Sequence, residues 1–201
     1  MTVSSPRTGR RHDRAAVVET ALRLLDEYGL PDLTMRRLAT ELDVQPSALY
    51  WHVENKQSLL AAVADRIQAA ARPSPPTQLG WRDATAIEAS ALRDAMLAFR
   101  DGAEVVLSTR ALGLGSDAAH RRLAAAIGRG HDPRTAQLVA TSLLHFIFGD
   151  AALVQQRMQA DALGVTGESV ALHPDGEHRE DEAFWMGIEL LLSGLDQLAR
   201  V

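Results

Sequence analysis

Apolar residues recur along this chain at the three- and four-residue steps of a helix face, and no stretch alternates with the two-residue period of a strand. That restricts the fold to packed helices, and the residues between the apolar runs say where each helix stops. Val17, Val18, Ala21, Leu22, Leu25 and Tyr28 form a first face, ended by Gly29 in the manner of a C′ glycine. Thr34 suits the cap of a short second helix through Met35, Leu38, Ala39 and Leu42. Asp43, Val44 and Gln45 make a turn, and Pro46 fits the first position of a third short helix, 46–51, with Leu49 facing inward. Asn55 caps a fourth helix whose face is Leu59, Leu60, Val63 and Ile67. The prolines within 72–78 bar a helix from continuing, which places a domain boundary between residues 1–72 and 73–201. Beyond it, 81–100, 116–128, 133–158 and 181–199 read as helices. The expected fold class is all-α, with an N-terminal three-helix unit that holds a helix-turn-helix and a larger helical domain behind it.

Composition removes several function classes. At 201 residues the chain can bury a sizeable core, and with no Cys it has no disulfide framework, thiolate nucleophile or Cys-based zinc site. No apolar run comes near the roughly 20 residues of a membrane span, and the polar, basic N-terminus lacks the apolar core of a signal peptide. A cytoplasmic protein without membrane contact is expected. The sequence contains no G-x-S-x-G or H-E-x-x-H, and the Gly113–Gly115 segment is a turn without the strand or the GK[ST] of a phosphate loop. His and carboxylates mix over 173–181, a composition that suits an acidic solvated loop better than a metal site. No enzyme activity, catalytic residue, cofactor or resident metal is expected.

The net charge of −5 argues against nucleic acid only when averaged over the chain. Residues 1–14 carry Arg7, Arg10, Arg11 and Arg14 against Asp13, whereas 150–182 is acidic, so one end is a basic tip on an acidic body. The chain has few aromatic residues, yet Tyr50 and Trp51 are adjacent, with His52 next and Lys56 four residues further on. Neighbours on a helix point about 100° apart, so both rings cannot face one core. With Leu49 inward, Ser47 and Trp51 lie near the opposite face and Ala48 and Tyr50 on the flanks. Small residues where a helix meets base edges, and hydroxyl or NH donors where it meets phosphates, are what a DNA reader needs. Lys56 adds charge beside the exposed NH groups of a helix start. Plain packing of half-buried rings is the other reading of the same residues.

The block 33–60 closely resembles the N-terminal domain of the TetR family of repressors, through Thr34, Leu38, Ala39, Val44, Leu49, Tyr50, His52 and Lys56. Asp43 stands where that turn often carries Gly, and Asp tolerates left-handed geometry better than most residues. The resemblance implies a homodimeric transcriptional regulator, in most cases a repressor released from a palindromic operator by a small molecule. It also implies that Arg11, Thr34, Arg36, Gln45, Pro46, Ser47, Ala48, Tyr50, Trp51, His52 and Lys56 meet double-stranded operator DNA. The tip residues Gln45, Pro46, Ser47 and Ala48 differ from those of the tetracycline-repressor branch, so its operator does not carry over.

Segments 99–110, 145–150 and 184–196 resemble the effector domain of that branch. The resemblance puts effector-facing positions at Arg72, Glu88, Leu92, Val106, Thr109 and Arg110, with Leu153 coming from the partner subunit. Thr109 and Arg110 match the branch. The metal-binding His is Val106 here, the acidic residue completing the metal site is Leu153, the ring-holding Asn and Phe are Glu88 and Leu92, and the nearby His is Arg72. Val and Leu offer magnesium no ligand, so the implied effector is an unidentified organic molecule bound without it. A helix-end ion pair is the competing role for Arg110.

Phe184, Ile188, Leu191, Leu195 and Leu198 step by four and three, with Gly187 and Gly194 close to that face, and Val139, Leu143, Phe146 and Leu153 form a similar seam. An internal core accounts for one such helix alone. Two of them behind a helix-turn-helix favour a dimer, because paired half-sites need a two-fold reader. The expected interface is Val139, Leu143, Phe146, Phe184, Ile188, Leu191, Gly194 and Leu195. Two other classes remain: an all-helical small-molecule-binding protein or enzyme whose N-terminal unit is only structural, and a helical adaptor working through protein contacts.

Overall fold

The computed structural model of the chain describes residues 13–71, 75–164 and 174–198. Among the described residues there are nine helices and no strand: α1 (Arg14–Tyr28), α2 (Met35–Glu41), α3 (Pro46–Leu49), α4 (Lys56–Ala70), α5 (Trp81–Leu97), α6 (Gly102–Ala111), α7 (Ala118–Ile127), α8 (Pro133–Ala162) and α9 (Pro174–Leu198). The all-α fold with an N-terminal helix-turn-helix is therefore the fold observed.

Local chemistry sets the ends of the first four helices. The Asp13 side chain accepts from the Ala16 N–H at 2.8 Å and opens α1. Gly29, at φ +84°, closes it by donating its N–H to the Leu25 carbonyl at 2.8 Å. Thr34 Oγ1 accepts from the Arg37 N–H at 3.1 Å and caps α2. Asp43 takes the left-handed turn at φ +52°. Pro46 does open α3, but the helix stops at Leu49 rather than at 51, so Tyr50 is its closing residue and Trp51 lies in the turn that follows. Asn55 and Ser58 then exchange side-chain and backbone hydrogen bonds in a capping box that starts α4.

The second half differs from expectation in three places. Helix α6 lies between the helices expected at 81–100 and 116–128 and is additional to them. Helix α9 begins at Pro174, so most of the segment expected to be a solvated loop is helical. Helix α8 runs to Ala162 and is long and apolar enough to cross a membrane, with a mean hydropathy of 1.5 in its richest window, which corrects the expectation that no segment comes near that length. It is amphipathic in place: Ala136, Ala140, Leu143, Leu144, Ile147, Phe148 and Ala151 are buried where α8 packs on α5, α6, α7 and α9, and Thr141, Ser142 and His145 are exposed.

Buried residues from all nine helices form one cluster, with no break at the proline segment. Helix α4 is the bridge. It buries Leu59, Leu60, Val63 and Ile67 and packs on α1 in front and on α5 and α6 behind. A polar knot at the α5–α6 turn adds to it. Asp101, buried and left-handed at φ +55°, accepts the Leu30 N–H at 2.6 Å and a hydrogen bond from the Gln159 side chain. Asp26 accepts the Arg100 N–H at 3.0 Å across the same junction. A Cβ on Gly29 would lie 2.9 Å from Asp101 Oδ2, so glycine is required there by space as well as by φ. Helix α9 is held to the body by two arginines of α5. The buried Arg93 reaches Asp150 at 2.7 Å and Asp181 at 2.8 Å, and Arg82 reaches Asp196 at 2.6 Å and Glu189 at 2.8 Å.

Candidate nucleic-acid interface and effector site

The reading tip is built by anchoring one side of a very short helix and leaving the other bare. Leu49 and Val53 are buried, and the N–H groups of His52 and Val53 both donate to the Leu49 carbonyl, at 2.9 and 3.0 Å, which turns the chain from α3 into α4. Gln45, Pro46 and Ser47 are exposed, Ala48, His52 and Lys56 are half-buried, Tyr50 is 54% exposed and Trp51 is 89% exposed. Burying a large apolar side chain contributes on the order of 2 kcal/mol, and Trp51 forgoes nearly all of it in the free chain. On α2, Arg37 is turned inward, 3.2 Å from Asp32 and with its guanidinium 3.6 Å from the centre of the Tyr28 ring. Arg36 is left exposed on the same helix, and Thr34 is exposed beside it while its oxygen serves as the α2 cap. Arg11 lies outside the described residues.

The expected effector residues separate into two groups. Glu88, Leu92, Val106 and Thr109 are all buried, on α5 and α6, with Leu92 and Val106 in the central cluster. Leu153 is 60% exposed on α8, outside that core. Arg72 lies outside the described residues. Arg110 is half-buried and pairs with Asp117 just past the end of α6, which is the helix-end ion pair. Its hydrogen bond and charge hold the Asp117 carboxyl below its ordinary range. A surface depression lined by Asp181, Glu182, Trp185, Met186 and Glu189 belongs to α9 and includes none of the expected effector residues.

The residue that sequence reasoning missed is Arg122 of α7. Its Nε donates to Glu88 Oε2 at 3.1 Å, and its Nη2 donates to the Gln68 carbonyl in the last turn of α4 at 3.4 Å. Burial raises the Glu88 carboxyl above its ordinary value, and the pull of Arg122 does not offset it. The chain keeps a carboxylate here although burial penalises its charged form. The helical phase holds a signal: Arg122 shares the face of Ala119 and Ala126, both buried.

The expected dimer seam is also redistributed. Leu143, Phe184, Ile188 and Leu195 are almost fully buried within a single chain, where α8 and α9 pack on each other and on the body, so they are not free to meet a second copy. Val139 and Phe146 are half-buried, and Phe146 stacks on Phe184 with ring centres 5.7 Å apart. Leu191 is 38% exposed, and a Cβ on Gly194 would meet nothing within 4 Å. The bare apolar face of α9 is Trp185, Met186, Leu190 and Leu191, and α8 adds Leu138 and Leu153.

Comparison with known proteins gives consistent results. Residues 17–63 match the family model described as bacterial regulatory proteins, tetR family. The class C tetracycline repressor protein of Escherichia coli is 33% identical over 200 residues, covering 92% of this chain and 91% of that protein. Among solved structures, BioQ of Mycobacterium smegmatis superposes with a TM-score of 0.77 at 36% identity, covering 92% of this chain and 98% of its own. A structure of BioQ with its natural double-stranded DNA operator gives 0.75 at 35% identity, with the same coverage.

The position of Glu88 predicts a pH dependence. A carboxyl raised in the folded state holds its proton more tightly there than in the unfolded chain, so its ionisation costs stability as pH rises through the carboxylate range. Glu88→Gln removes that cost. The melting temperature of Glu88→Gln relative to the wild type should rise as the pH is raised from 4 to 7, as read by circular dichroism melts across a pH series.

Proposed function

The chain belongs to the TetR family of bacterial regulatory proteins, a DNA-binding transcriptional regulator and not an enzyme, and we propose that it works as a homodimeric repressor that a small organic molecule releases from a palindromic operator. The observation that carries this reading is the exposed tip, where Tyr50 and Trp51 stand in solvent between the small residues of α3 and the Lys56 end of α4. In it Gln45, Pro46, Ser47 and Ala48 read base edges with Arg36, while Thr34, Tyr50, Trp51, His52 and Lys56 grip the backbone, helped by Arg11 of the basic arm. Residues 1–72 form the reading head, 73–201 the effector-binding and dimerisation domain, and the protein works in the cytoplasm, where its operator is.

The effector site lies between α5 and α6 around Glu88, Leu92, Val106 and Thr109. Its polar end is Glu88 with Arg122, because Arg110 is engaged with Asp117. Val106 supplies no ligand to magnesium, which supports an effector bound without the metal. Such a ligand must bind the released state more tightly than the DNA-bound state, by a few kcal/mol for a useful switch. The dimer forms through the outer faces of α8 and α9, where apolar side chains are bare and Gly194 leaves room for a close approach.

Two results are expected. Duplexes selected by the protein from a random pool should carry two inverted half-sites about 34–36 Å apart. Affinity measured by fluorescence anisotropy should fall steeply with salt, Lys56→Ala should reduce the salt slope by about one per protomer on every sequence, and Ser47→Ala should change which sequence is preferred. Binding that ignores salt, or a missing two-fold site, contradicts the reading. Separately, Leu190→Asp and Gly194→Glu, both on the outer face of α9, should sediment as folded monomers, and an intact dimer for both places the interface elsewhere.

A further inference from the structure

The basic arm apart, the reading head is acidic. Residues 13–71 hold six Arg and Lys against nine Asp and Glu. Three of those cations are engaged within the head: Arg23 pairs with Glu41 at 2.6 Å and with Glu27 at 3.5 Å, Arg37 with Asp32 at 3.2 Å, and Arg66 with Glu19. Arg14, Arg36 and Lys56 have no carboxylate partner among the described residues. A surface that has to meet phosphates therefore offers them few free positive charges.

Glu54 works against even those. It lies in the turn between α3 and α4, three residues after Trp51 and two before Lys56, and it is exposed, with no ion-pair or hydrogen-bond partner among the described residues. Beside it is the positive, anion-seeking start of a 15-residue helix. Glu54 does not serve as the cap of that helix, because the Asn55 side chain already accepts the Ser58 N–H at 2.8 Å. Its carboxylate instead stands in the combined field of the helix start and Lys56. That field favours it in the free chain and draws a phosphate to the same place when DNA arrives, where the two like charges repel.

We propose that Glu54 is a counter-charge in the DNA grip, which lowers affinity for the phosphate backbone on every sequence, so that the head stays on DNA only where base contacts add to the backbone contacts. This rests on the α3–α4 tip being the DNA surface. Backbone contacts supply essentially all affinity for unrelated sequences. An effector that abolishes the base contacts frees the protein only where the backbone contacts alone are too weak to hold it. A carboxylate beside Lys56 keeps them weak without removing the lysine that orients the head.

The test is fluorescence anisotropy on the full chain, with a labelled duplex selected by the protein and a scrambled duplex of the same length, across a salt series. Wild type is compared with Glu54→Gln, Glu54→Lys and Glu104→Gln. Glu104 is an exposed carboxylate on α6 of the body, so its variant changes the net charge by the same amount away from the tip. At low salt, Glu54→Gln should tighten binding to both duplexes by roughly threefold per protomer, the factor for removing one unit charge several Å from a phosphate in water. Glu54→Lys should tighten it further and steepen the salt slope by about one per protomer. Both gains should fade as salt is raised, and Glu104→Gln should match the wild type. The proposal is overturned if Glu54→Gln leaves affinity unchanged, or if Glu104→Gln gives the same gain, which would make net charge alone the cause. It is also overturned if Glu54→Gln alters affinity for one duplex only, which would make Glu54 a reader of bases. If neither wild type nor Glu54→Lys binds either duplex at any salt, the repressor reading falls together with this proposal.

Discussion

Helix α4 belongs to two packing environments at once, and the rest of the molecule is arranged around that constraint. The N-terminal unit has four helices, two of them short, and the apolar face of α4 is shared between α1 in front and α5 and α6 behind. The result is one continuous core where a proline-rich segment suggests two. Packed interiors shift between discrete arrangements rather than deforming smoothly, so a helix shared in this way is able to pass a rearrangement from one end to the other.

Polar contacts then fix the angle between head and body. Asp101 holds the end of α1 through the Leu30 N–H, Asp26 holds the α5–α6 turn through the Arg100 N–H, and Asp65 holds the α6–α7 loop through the Ser116 N–H. Each is a carboxylate accepting a backbone N–H, a charge-assisted contact with a defined direction. Apolar packing on α4 supplies most of the free energy, and these bonds select one orientation among those that packing alone would permit.

Much of the head was legible in the sequence because its signals are local. Gly29, Thr34, Asp43, Pro46 and Asn55 act on residues within four positions of themselves, and each adopts the geometry its side chain favours. The body was harder to read. Helix α6 escaped notice because Val105-Val106-Leu107-Ser108-Thr109 is rich in residues of modest helix propensity and is buried on more than one side, which blurs the period. The expected seam of α9 divides between two faces, with Phe184, Ile188 and Leu195 buried in the chain's own core and Leu191 and Gly194 on the outside. Spacing reports that a face is apolar and not whose surface covers it, and α9 is apolar on two faces, with Phe184, Ile188, Leu192 and Leu195 inward and Met186, Leu190 and Leu191 outward. Arg110 and Arg122 show the same limit for charges, since which carboxylate each one meets depends on tertiary placement.

The central claim is that the exposed aromatic tip is where DNA is held. Trp51 can report on it directly, because the other two tryptophans, Trp81 and Trp185, lie on body helices and can be replaced by Phe. In a Trp81→Phe/Trp185→Phe variant, titration with a duplex selected by the protein should quench the emission of Trp51, saturate at two protomers per duplex and reverse when salt is added. Emission that stays constant while anisotropy of the labelled duplex reports full binding would contradict the account, because DNA would then be held by some other surface.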